Sequence, residues 1–131
     1  MIYITNGYVI DPKTRFEGYR DILIEDGRIT AMVPQGTFLP GQQAERAAHI
    51  DAAGKIVAPG LVDVHVHFRD PGFTYKEDIK SGAAAAAKGG FTSVVLMANT
   101  KPPVDCEETL SYVLEKGRET GIHIYSCANV T

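Results

Sequence analysis

With 131 residues, 44% of them hydrophobic and 22% charged, the chain has the composition of a folded globular protein rather than a disordered segment. Its formal charge of -3 comes from interleaved acids and bases, which argues against a basic stripe for nucleic acid or a cationic face for a membrane surface. No apolar run approaches the roughly 20 residues needed to cross a bilayer, and MIYITNGYVIDP lacks the basic-then-apolar order of a signal peptide, so a cytoplasmic protein is expected.

The first fifty or so positions read as short strands and turns. MIYITNGYVI is apolar and β-branched around Asn6-Gly7. RDILIEDGRITAMV is two apolar runs joined by Asp26-Gly27, a hairpin signal because both turn positions need positive φ. From Pro34 to Ala48 the chain is rich in Pro, Gly, Gln and Ala without a clean period, and a loop is expected. These features predict a β-rich N-terminal domain over residues 1–57. Cys106 and Cys127 are far apart and outside any C-x-x-C pair, so both are expected to be reduced, packed thiols.

The pattern changes at DAAGKIVAPGLVDVHVHF, where a glycine turn leads to one apolar run and then to a nearly continuous second one, the mark of a strand buried on both faces. Thr74 to Gly90, TYKEDIKSGAAAAAKGG, predicts a helix: acids in the first turn, five consecutive alanines, a closing lysine and two terminating glycines. FTSVVLMANT is a third buried run. After Pro102-Pro103, DCEETLSYVLEKGRETG predicts a second helix, with Asp105 and Glu108 as a capping box and Leu110, Val113 and Leu114 on its apolar face. Glu107, Glu108, Glu115 and Lys116 are expected on its solvated face. IHIYSCANVT follows as another strand.

Strand, helix, strand, helix, strand is the grammar of parallel βαβ units. No Gly-x-Gly-x-x-Gly follows the first of them, which weakens a dinucleotide-binding sheet. An eightfold barrel typically needs about 250 residues, and only 74 follow Val57. Residues 58–131 therefore read as the first βα units of an incomplete barrel.

The chemistry concentrates in DVHVHFRDPG. Strand alternation puts Asp63, His65 and His67 on one face and Val64, Val66 and Phe68 on the other. Same-face neighbours lie about 6.5 to 7 Å apart along a strand, close enough for two imidazoles to lean onto one ion at about 2.0 to 2.1 Å each. Imidazole suits Zn, Cu, Fe and Ni. The pair stands at the carboxyl end of a buried strand, where barrel enzymes build their sites. His49 and His123 have no such context and are expected to be structural.

Pro59 to Asp105, PGLVDVHVHFRDPGFTYKEDIKSGAAAAAKGGFTSVVLMANTKPPVD, resembles the opening of the barrel in dihydroorotases of the amidohydrolase superfamily. The likeness rests on Asp-x-His-x-His-x-Arg-Asp-Pro-Gly, the Tyr-Lys-Glu stretch, the Ala-rich run ending Gly-Gly-Phe-Thr, and Asn-Thr-x-Pro-Pro. The β-rich start and DAAGKIVAPG resemble the small β domain that precedes that barrel.

The resemblance implies that His65 and His67 are ligands of a zinc ion, with two zinc ions in a complete site, and that Arg69 and Asn99 bind the substrate carboxylate. Arginine offers a planar fork for such a group. Asp63 is expected to orient an imidazole rather than to ligate, two roles that spacing does not separate. The bridging ligand, a carboxylated lysine or an aspartate, and the catalytic aspartate would lie beyond Thr131, so no catalytic residue is expected here and the 131-residue chain alone is expected to be inactive. Ala98 stands where the family commonly has proline, which relaxes the backbone before Asn99. The implied reaction interconverts dihydroorotate and N-carbamoyl-L-aspartate in pyrimidine biosynthesis; the partner is a small molecule, with room for a homodimer or a complex with another enzyme of the pathway. Allantoinase, hydantoinase and dihydropyrimidinase are the alternatives, as is an inactive dihydroorotase-like structural partner.

Overall fold

The computed structural model describes residues 1–38 and 47–130. The chain divides into two compact units, Met1–Pro59 and Gly60–Thr131.

In the first unit β1 (Ile2–Asp11) is central. It pairs antiparallel with β2 (Phe16–Glu25), which pairs antiparallel with β3 (Arg28–Pro34); β4 (Ala48–Asp51) and β5 (Ile56–Val57) run parallel to β1. The β2–β3 hairpin turns at Asp26 (φ 49°) and Gly27 (φ 74°), as the Asp-Gly signal requires. Asn6-Gly7 is not a turn but an irregularity inside β1. Asn6 adopts φ 63° and donates its backbone N–H to the buried Asp21 carboxylate at 3.0 Å. Of the loop expected between Pro34 and Ala48, positions 39–46 lie outside the described residues. His49 is hydrogen-bonded, Nε2 to Thr5 Oγ1 at 2.8 Å.

In the second unit β6 (Leu61–Val66), β7 (Phe91–Leu96) and β8 (His123–Ser126) form a parallel sheet in that order. Helices α1 (Ile79–Lys88) and α2 (Glu107–Arg118) supply the crossovers. Ile79 and Ala83 of α1 and Val113 of α2 close over Val94, Leu96 and Ile124, so one sheet face carries the core. These are the opening βα units of a (β/α)8 barrel, incomplete within this chain. Within this chain only one face of β6 is covered, and Val62 and Val64 are 61% and 68% exposed on the face that a closed barrel turns inward. β6 is the end strand of this sheet, and the buried side chains of both helices lie on the opposite face.

Both helix starts fall later than the sequence patterns suggest. Asp78 caps α1, accepting from the Ser81 N–H at 2.8 Å while Ser81 Oγ returns to the Asp78 N–H at 3.3 Å. That hydrogen bond from Ser81 holds the Asp78 carboxyl below the usual range. Thr74 to Glu77 thus precede the helix, and its first turn carries no acid. The Asp105/Glu108 capping box does not form: Cys106 is the N-cap of α2 and makes no capping hydrogen bond with its side chain. Cys106 and Cys127 are free but exposed rather than packed.

Gly82 of α1 is a close-approach position. A Cβ there would stand 2.6 Å from Phe68 Cδ1. Gly82→Ala is expected to destabilise the protein by about 1 to 2 kcal/mol in a urea titration, since overpacking outweighs the helix-propensity gain of about 1 kcal/mol. An unchanged or raised midpoint would show that Phe68 yields freely.

Candidate metal and substrate site

Strand β6 ends with a change of register. Asp63 pairs with Val94 and Val66 with Leu96, so three steps on β6 oppose two on β7. The extra residue at Val64-His65 reverses the parity of everything before it. Asp63 therefore shares the helix-covered face with Val66, Phe68 and Val94, and its carboxylate accepts the His65 backbone N–H at 2.9 Å. The expected shared face of Asp63, His65 and His67 is corrected on this point. Asp63 secures the bulge and does not touch an imidazole.

The two histidines remain together. Their ring centroids are 5.2 Å apart with the planes at 65°, and His65 is exposed while His67 is half-buried. His67 Nδ1 lies 2.9 Å from Asn99 Oδ1. An amide oxygen can only accept, so Nδ1 carries the hydrogen. Asn99 thus does for His67 what Asp63 was expected to do, and its amide nitrogen remains a donor. With alanine at 98, the segment that follows is closed by the Ala98 carbonyl, which accepts from the backbone N–H groups of Thr100 and Val104 at 2.9 and 3.1 Å.

Arg69 follows directly in an uncommon conformation, φ 60°, and its carbonyl accepts the Phe73 N–H at 2.8 Å. Among the described residues no acid pairs with its guanidinium. Next to it Asp70 is 1% exposed. Its carboxylate accepts from Tyr112 Oη at 2.8 Å, Lys116 Nζ at 2.9 Å and the Ile79 N–H at 3.3 Å. The Tyr112 hydroxyl and the Asp70 carboxylate push the Lys116 ammonium up to about 12. The solvated face expected for Lys116 is corrected: its ammonium turns onto the buried Asp70 carboxylate. Tyr112 and Lys116 are four apart on one helix face, a spacing visible in the sequence. The neighbouring loop is tied in by Lys101, whose N–H reaches the Pro71 carbonyl at 3.1 Å. Tyr75 is 78% exposed.

Two imidazoles do not make a complete catalytic set. Among the described residues no three His, Cys, Asp or Glu side chains gather around one point. What stands here is a pair of neighbouring imidazoles, an amide hydrogen-bonded to one of them, and a guanidinium on adjoining strand ends.

The profile of the Dihydro-orotase-like family matches residues 54–130. The chain belongs to that family. A curated dihydroorotase of Clostridioides difficile strain 630 is 53% identical over 131 residues, all of this chain and 30% of that relative. The dihydroorotase of Aquifex aeolicus strain VF5 is 47% identical over 121 residues, 92% of this chain and 27% of its own. The chain thus spans about 30% of the length of the curated relatives it matches. Among solved structures, a D-hydantoinase from a Bacillus sp. AR9 superimposes with a TM-score of 0.70 at 30% identity over 96% of this chain and 26% of its own. An L-hydantoinase from Arthrobacter aurescens gives 0.69 at 26% identity over 97% and 27%. These neighbours are barrel enzymes of the amidohydrolase superfamily, in agreement with the fold class read from the sequence. Among the described residues no helix is long and apolar enough to cross a membrane.

Proposed function

We propose that this chain is the amino-terminal part of a cytoplasmic, zinc-dependent dihydroorotase, whose small-molecule substrates are dihydroorotate and N-carbamoyl-L-aspartate. The observation that carries the reading is the place of Arg69, two positions after the His65–His67 pair, on a loop whose Pro71 carbonyl accepts the Lys101 N–H of the strand end that bears Asn99. The donor set suits a zinc ion: two imidazoles stand with ring centroids 5.2 Å apart, and the Asn99 contact engages His67 through Nδ1 and not Nε2. His65 and His67 would hold the ion, which when bound supplies Lewis acidity that polarises a carbonyl and acidifies water. Arg69 and the Asn99 amide nitrogen would bind the ring carboxylate, fixing the scissile amide in one pose. Proton transfer to the leaving nitrogen falls to a group outside this chain.

Hydantoinase or dihydropyrimidinase chemistry is the second reading, favoured by the solved structures above. Arg69 separates the two, because a ring without a carboxylate gives its planar fork of donors no anion to pair with. The full-length protein, assayed with dihydroorotate, hydantoin, dihydrouracil and allantoin in parallel, is expected to prefer dihydroorotate by at least about 100-fold in kcat/KM. Preference for a carboxylate-free ring would reject the dihydroorotase reading.

A further inference from the structure

The most completely buried acid of the second unit belongs neither to the ligand pair nor to the carboxylate clamp. Asp70 is 1% exposed, and its three donors come from two helices: the Ile79 N–H at the start of α1, and Tyr112 Oη and Lys116 Nζ on α2. Such a hub is not needed for stability alone, because apolar side chains of similar volume hold a loop as well or better. Hydrogen bonds to three fixed donors add direction.

The residue so fixed is next to Arg69. On the other side of Arg69 stands Phe68, 6% exposed and seated against Gly82. With both neighbours locked, the backbone between them is held at φ 60°, a conformation an arginine does not choose for itself. The loop is further clamped to the strand end that carries Asn99: Lys101 donates to Pro71, and Gly72 comes so close to the Lys101 carbonyl that a Cβ would stand 1.9 Å from its oxygen.

We propose that Asp70 is a positioning residue for substrate, its carboxylate relaying the rigidity of α1 and α2 to the Arg69 backbone so that the guanidinium meets a ring carboxylate in one orientation. This rests on the dihydroorotase reading and deepens it: affinity for the acidic ring is set partly by two helix side chains that never touch it.

The test uses the full-length protein with zinc bound and dihydroorotate as substrate. Asp70→Asn is expected to raise KM about 10-fold or more, with kcat within about threefold of wild type. Lys116→Met should do the same in smaller measure, and Lys116→Arg should restore the wild-type KM; this pair keeps the test open if Asp70→Asn fails to fold. In an Arg69→Ala background neither substitution should raise KM further, because the group being positioned is gone. A merely structural role would lower the melting temperature and the folded fraction, leave KM unchanged, and act equally in both backgrounds. Wild-type KM in both Asp70→Asn and Lys116→Met, or an undiminished effect in the Arg69→Ala background, overturns the proposal. Absence of dihydroorotate turnover in the wild-type control would instead sink the functional reading, and this inference with it.

Discussion

His67→Ala in the full-length protein is expected to lower turnover of dihydroorotate by about 10³-fold or more and to strip metal during dialysis, with little change in melting temperature. Removing a second-sphere partner alone typically weakens metal binding or activity by about 10- to 100-fold, so losing a ligand must exceed that. Asn99→Ala supplies the comparison. It removes the acceptor that fixes Nδ1–H on His67, 2.9 Å away, and should fall in that 10- to 100-fold range for metal affinity. His65→Ala should match His67→Ala. Stability should hold because His65 is exposed, His67 is half-buried, and neither belongs to the core cluster of Ile79, Val94, Val104, Val113 and their neighbours. Metal content by emission spectroscopy, read beside turnover, separates loss of the ion from loss of the fold. Full metal retention in His67→Ala would mean that the imidazole pair is not the ligand pair.

The sequence carried the element order but not the parity of the strand that bears the two histidines. Apolar runs, Asp26-Gly27 and the glycines after Lys88 mark strands, hairpin and helix end through local backbone preferences, and those preferences act here. Simple alternation failed at Asp63 because one extra residue at Val64-His65 reverses the facing, and nothing in Asp-x-His-x-His distinguishes a bulged strand from a regular one. Asp63 itself stabilises the irregularity by accepting the His65 N–H, a contact that exists only once the bulge does. The caps failed for a related reason. Asp78 outcompetes the upstream acids because Ser81, three positions on, completes a reciprocal pair, whereas Glu108 stands two positions after the actual N-cap, Cys106. Asp70 lies more than forty positions from both Tyr112 and Lys116, and only the α2 crossover brings them together. The i, i+4 spacing of Tyr112 and Lys116 was legible; its partner was not.

The sharpest separation of fold from function should come at Arg69. Arg69→Gly is expected to leave the protein as stable as wild type, or more stable by up to about 1 kcal/mol, while lowering kcat/KM for dihydroorotate about 10²- to 10⁴-fold. The stability side follows from the backbone: φ 60° is strained for any side chain with a Cβ, by about 1 to 2 kcal/mol, and glycine removes that strain. Part of the gain is offset by the greater entropy of an unfolded glycine. The activity side follows from the fork: two charge-assisted hydrogen bonds to a carboxylate, each worth about 1.5 to 3 kcal/mol, disappear together. Arg69→Ala should lose as much activity without the gain in stability, since alanine keeps the strained Cβ. Arg69→Lys should recover only part of it, because an ammonium is a point donor. Thermal melts beside steady-state kinetics read both sides at once. If Arg69→Gly melts well below wild type, the arginine holds the loop rather than the substrate; if it stays active, the ring carboxylate is bound elsewhere.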